Sequence, residues 1–100
     1  MAIRASSGGD RVSAFNYCSI YTAGSSSIRD SYNTSSITEH NGHTYEVTFS
    51  SSANNHNYCP VLNCDVETNQ WVSNISAGSY RMRTGGSLGS SVISGIVFQN

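Results

Sequence analysis

His43-Thr44-Tyr45-Glu46-Val47-Thr48-Phe49 decides the fold class, because apolar and polar residues alternate along it without a break. A period of two puts Tyr45, Val47 and Phe49 on one face and Thr44, Glu46 and Thr48 on the other, as in a half-buried strand. Asn41-Gly42, just upstream, is a strong hairpin signal. A two-residue loop there sets Ile37 opposite Glu46, whereas a three-residue loop His40-Asn41-Gly42 sets Ile37 opposite Tyr45. The second register keeps apolar residues together, and a one-residue slip would turn that face to water. The expectation is therefore a hairpin that turns at residues 40–42.

Working outward, the run from Val12 to Thr22 also alternates. Val12, Ala14, Cys18 and Ile20 share one face and Phe15, Tyr17 and Tyr21 the other. With both faces partly apolar, this strand lies centrally in a sandwich or is covered by another subunit. Ala23-Gly24-Ser25-Ser26-Ser27 reads as a loop, and Ser50 to Asn57 is polar and breaks the sheet. Val61-Leu62 with Val66, and Gln70-Trp71-Val72, are short apolar patches on either side of a turn at Glu67-Thr68-Asn69. Ser79 to Arg83 opposes Tyr80 and Met82 to Arg81 and Arg83. A glycine-rich turn at Gly85–Gly89 leads into a last, largely buried strand, Val92-Ile93 and Gly95-Ile96-Val97-Phe98. Six or seven short strands at this spacing make a small antiparallel β-sandwich or barrel, a single β domain over residues 1–100.

Composition agrees with an all-β chain. Of 100 residues, 20 are Ser, 10 Asn and 7 Thr, while Leu occurs twice and Lys not at all. Ile and Val are well represented, so the inventory favours strands over helices. Five Arg against six Asp plus Glu give a net charge of −1, and charged residues are only 11% of the chain. Scattered arginines do not build the basic stripe that phosphate neutralisation requires, which argues against nucleic acid as a partner. No apolar run approaches the ~18 residues of a membrane span. The polar stretch Ser6-Ser7-Gly8-Gly9-Asp10 stands where a secretion signal would be apolar.

Motifs for catalysis and metal binding are weak. Gly85-Gly86-Ser87-Leu88-Gly89 matches G-x-S-x-G, but that elbow works between a strand and a helix of an α/β sheet, and no helix follows here. Acidic residues are scattered; Asp65 and Glu67, two apart, are the nearest thing to a cation site. His56, Cys59 and Cys64, with His40 and His43 upstream, lack the spacing of a zinc finger or ribbon. We expect no enzyme, no cofactor and no metal. Cys59 and Cys64 could close a small disulfide loop, although without a secretion signal the default is reduced thiols. Cys18 suits a small buried hydrophobe. Asn33-Thr34-Ser35 and Asn74-Ile75-Ser76 match glycosylation sequons, as chance allows in a chain so rich in Asn, Ser and Thr. What remains is Tyr and Trp among Asn, Ser and Thr, a mixture common at recognition surfaces and suited to stacking on sugar rings.

Ser76-Ala77-Gly78-Ser79-Tyr80-Arg81-Met82-Arg83-Thr84-Gly85-Gly86, followed by Gly95-Ile96-Val97-Phe98-Gln99-Asn100, resembles the closing segment of bacteriophage tail-fibre and receptor-binding proteins. The resemblance covers about a quarter of the chain. It implies a trimeric all-β tip in the virion, folded in the host cytoplasm, that contacts other virion proteins and binds a bacterial surface glycan or outer-membrane protein. It implies no membrane insertion. Within that reading the candidate binding residues are Trp71, Tyr80, Arg81 and Arg83. The alternatives are a capsid decoration (cement) protein and a free-standing carbohydrate-binding, lectin-like module.

Overall fold

A computed structural model describes residues 2–4, 11–21, 27–86 and 91–99. Its strands are β1 (Ala2–Arg4), β2 (Arg11–Tyr21), β3 (Ser27–Tyr32), β4 (Thr34–Asn41), β5 (Thr44–Phe49), β6 (Val61–Cys64), β7 (Gln70–Ser73), β8 (Ser79–Thr84) and β9 (Val92–Gln99). All pairings are antiparallel, and the described residues contain no helix. Among the described residues nine strands appear where six or seven were expected. β3 is polar and exposed along nearly its whole length, so no hydrophobic alternation announces it. Residues 6–10, the loop at 23–26, Ser87 to Gly89 of the glycine-rich turn, and Asn100 lie outside the described residues, as do the side chains of Val12 and Tyr21.

Two sheets pack face to face. One runs β1-β2-β9-β6, with β3 also paired to β2; the other runs β4-β5-β8-β7. Cys18, Ile20, Ile93 and Val97 of the first sheet meet Tyr45, Val47, Phe49, Tyr80 and Met82 of the second in one buried cluster. The period-two reading of β5 and β8 thus holds for their apolar residues, although Thr44, read as outward, is itself buried. At Gly95 the sheets are tightly fitted: a Cβ there would stand 2.3 Å from the Tyr80 hydroxyl. Only a residue without a side chain leaves room for that ring. The Tyr80 hydroxyl lies 3.9 Å from the Cys18 thiol. Burial pushes the Cys18 thiol up to about 11, and burial beside Cys18 raises the Tyr80 hydroxyl as well.

The hairpin register differs from the expected one. Thr44 pairs with Asn41, and beyond a bulge at His40 Ile37 pairs with Val47 rather than Tyr45. The chain turns at Gly42-His43, with the His43 N–H donating 2.8 Å to the Asn41 side-chain oxygen. Moving by two residues preserves the apolar face, so facial matching alone could not distinguish these registers. A second bulge in β2, between Ala14 and Asn16, turns Phe15 out of strict alternation. Phe15 then packs edge-on against Phe49, with ring centroids 5.2 Å apart.

One asparagine joins the sheets. β3 belongs to the first sheet and β4 to the second, and Asn33 between them has φ of 54°. Asn tolerates this left-handed conformation better than most residues. Its side-chain NH2 donates to the carbonyls of Phe15 (3.2 Å) and Ser51 (3.1 Å), and its oxygen accepts from Ser51 N–H at 2.7 Å. Buried Asn16 reinforces the corner, donating to the Asn33 carbonyl at 2.9 Å and to the Thr34 hydroxyl at 2.7 Å. The sequon Asn33-Thr34-Ser35 is therefore a structural corner. The polar segment after β5 also does more than break the sheet. Ala53 and Tyr58 enter the core, and the Tyr58 hydroxyl reaches the Ser76 carbonyl at 2.6 Å.

Candidate functional site

The outward residues of the four-stranded sheet form two adjacent rows. Pairing sets Thr44 beside Arg83 and Arg83 beside Trp71; one step along, it sets Thr38, Glu46, Arg81 and Ser73 side by side. Alternation fixes their direction, because Tyr45, Val47, Tyr80 and Met82 take the inner face. Three of the four expected binding residues, Trp71, Arg81 and Arg83, thus meet on one surface. The fourth does not: Tyr80 is 0% exposed on the opposite face of β8, in the core. A pattern that opposes Tyr80 to Arg81 and Arg83 cannot place all three on one face.

Trp71 is 45% exposed on β7, an edge strand. The Arg83 guanidinium carbon lies 5.8 Å from the Trp71 ring centroid, within cation–π range. In the neighbouring row, Glu46 Oε1 accepts from His40 Nε2 at 2.8 Å and faces Arg81 Nη2 at 3.6 Å. The His40 hydrogen bond lowers the Glu46 carboxyl below its ordinary 4.5; burial opposes it, and Ser79 and Arg81 lower it further. Beneath these heads sit buried polar atoms with no hydrogen-bond partner: Arg81 Nε, Arg83 Nε, Ser73 Oγ and Thr44 Oγ1. Thr44 itself is only 3% exposed. Among the described residues no ion pair engages Arg83, so its head is stacked rather than anchored.

Sequence reasoning missed Glu46, His40, Thr44 and Ser73. Alternation had already turned Thr44 and Glu46 outward; the missing information was that β5 lies beside β8. Past the row of Trp71 and Arg83, a recess of about 470 Å³ opens between Glu67, Thr68, Asn69, Gly85 and Gly86.

The other candidate chemistry disperses. Among the described residues no three His, Cys, Asp or Glu side chains gather as metal ligands. Asp65 accepts the Val92 N–H at 2.9 Å, which commits it to the joint between β6 and β9. Cys18, Cys59 and Cys64 are free thiols, buried, exposed and half-buried respectively.

The first sheet carries a different outer surface. Tyr32, Tyr17, Ile96 and Val61 are successive partners across β3, β2, β9 and β6, an apolar row spanning four strands. Tyr17 and Tyr32 stack at 5.9 Å, and Tyr32 and Val61 remain 55% and 57% exposed. Beside it runs a polar row, Asp30, Ser19, Ser94 and Asn63, with the two serine hydroxyls 2.9 Å apart. No protein-family model, curated protein or solved structure matches this chain.

Proposed function

We propose that this chain is a binding module of a bacteriophage appendage, a fibre tip that meets a host-surface glycan through the outer face of its four-stranded sheet. The observation that carries this reading is the convergence of Trp71, Arg81 and Arg83 on one exposed face. An exposed indole offers a flat apolar surface to a pyranose ring, while guanidinium and hydroxyl groups beside it satisfy sugar hydroxyls. The C-terminal resemblance supplies the virion setting. In this reading three copies of the chain associate through the apolar row Tyr32-Tyr17-Ile96-Val61, because exposed apolar rows mark interaction surfaces and a net charge of −1 opposes association little. Binding, rather than catalysis, is the task assigned to the module.

The test is a glycan array probed with the wild-type protein and Trp71→Ala, together with a light-scattering mass in native buffer. Binding lost in Trp71→Ala and a trimeric mass released to monomers by Tyr17→Glu are the expected results. A monomer at micromolar concentration would refute the assembly, and binding indifferent to Trp71 would refute the site. A stable trimer that binds no glycan would favour the capsid decoration reading, which the apolar row serves equally well.

A further inference from the structure

We infer, building on that glycan reading, that the ligand is acidic: a sugar carrying a carboxylate or phosphate group, whose ring stacks on Trp71 while its anion pairs with Arg83. Positive charge is in excess on the outer face of the four-stranded sheet. Its outward side chains include two arginines and one carboxylate, and Glu46 is already shared between Arg81 and His40. Arg83 is left with the indole as its contact and no acidic partner among the described residues. A guanidinium is a planar fork of donors suited to the two oxygens of a carboxylate or phosphate.

The atoms underneath point the same way. Thr44 is paired with Arg83, is almost wholly buried, and has a hydroxyl without a partner; Arg83 Nε is buried and unpartnered too. Buried polar groups are nearly always satisfied in native proteins, and those that are not call for an explanation. An anion that draws the Arg83 head toward solvent would uncover Nε and the Thr44 hydroxyl together and give both a partner. Trp71 would then be free to accept the sugar ring on the surface the guanidinium now shares. A neutral sugar offers no comparable return for moving the arginine. Since the whole chain carries −1, the selectivity belongs to this face and not to a general attraction for polyanions.

Trp71 is the single tryptophan of the chain, so intrinsic fluorescence reports on the site directly. The experiment uses an array with carboxylated, phosphorylated and neutral members, followed by fluorescence titration of the best binders. For a carboxylated hit, the methyl ester keeps the skeleton and removes the charge. Expected are hits among acidic members, at least a tenfold loss on methyl esterification, and a comparable loss in Arg83→Gln. Arg83→Lys should recover binding only in part, because it keeps the charge without the fork. The carboxylated and phosphorylated arms identify which anion is read. Hits confined to neutral glycans, or methyl esters bound as well as acids, overturn the acidic assignment and leave the glycan reading standing. No glycan bound in any arm overturns both. The esterification arm uses the unaltered protein, so the test survives even if Arg83→Gln fails to fold.

Discussion

Replacing Gly95 with alanine tests how the two sheets are fitted together. The new Cβ would sit 2.3 Å from the Tyr80 hydroxyl oxygen, 3.1 Å from Met82 Sδ and 3.3 Å from Tyr80 Cζ. Ordinary contact is about 3.5 Å, so the hydroxyl must retreat by roughly 1 Å. Its ring is fully buried, with Phe49 at 5.9 Å and Tyr58 at 6.4 Å between centroids. Overpacking of this kind costs about 1–3 kcal/mol, offset by about 0.5–1 kcal/mol because alanine restricts the unfolded chain. A net loss of about 1–2 kcal/mol is expected, lowering Tm by roughly 4–16 °C in a domain of this size. Tyr80→Phe removes the clashing atom, and its hydroxyl's neighbour is only a thiol at 3.9 Å, so that change alone should cost about 1 kcal/mol or less. In the double variant the closest group is the flexible Met82 thioether, and most of the alanine penalty should vanish. Urea unfolding of the four proteins, followed by circular dichroism, gives the coupling energy directly. Gly95→Ala as stable as wild type, or a double variant no better than additive, would refute the packing argument.

Asn33→Ala should lose about 1–3 kcal/mol, since alanine resists the left-handed φ and breaks the side-chain bonds to Phe15 and Ser51; Asn33→Gly should be milder, and equal losses in urea midpoint would show that backbone strain contributes nothing. At pH 8 a thiol reagent should modify exposed Cys59 in the native protein while Cys18, buried and held up to about 11, reacts only on unfolding; prompt modification of Cys18 by mass spectrometry would contradict its place in the core. Because the folded Glu46 carboxyl is lowered, its contribution is complete above its ordinary 4.5 and is lost as pH falls through the folded value. Melting curves from pH 6 to pH 3 should therefore fall more steeply for wild type than for Glu46→Gln, and parallel curves would show the His40 and Arg81 contacts to be inert.

The legible parts of this fold are those written in strict alternation. β5 and β8 state their inner and outer faces outright, and Trp71, Arg81 and Arg83 were recognisable as surface chemistry from residue type. Two kinds of information were not local. Which strands lie side by side depends on chain path, so Glu46 and Thr44 could be read as outward without being read as neighbours of the arginines. Irregular features also escaped: the bulge that turns Phe15 toward Phe49, and Ala53 and Tyr58, core residues in a stretch that is otherwise Ser, Asn and His. Tyr80 was misplaced for a simpler reason. Its aromatic ring suggested recognition, although its alternation with Arg81 and Arg83 already assigned it to the interior.

The pairing of β2 with β9 also sets an order of assembly. Those strands are central in the larger sheet, yet their partners stand about 70–90 positions apart. Closing such a loop costs about 4 kcal/mol before any contact rewards it, whereas β4 and β5 meet across a two-residue turn. The β4–β5 hairpin can therefore form locally, as can β2 with β1 and β3, while the β2–β9 ladder at the centre of the larger sheet forms later. In pulse-labelled hydrogen exchange, β5 amides should gain protection before those of β9; the reverse order would mean that the distant strands β2 and β9 find each other first. Until β9 docks, the edge of β2 that it will occupy stays unpaired, and the chain is then at its most vulnerable to pairing with another copy of itself.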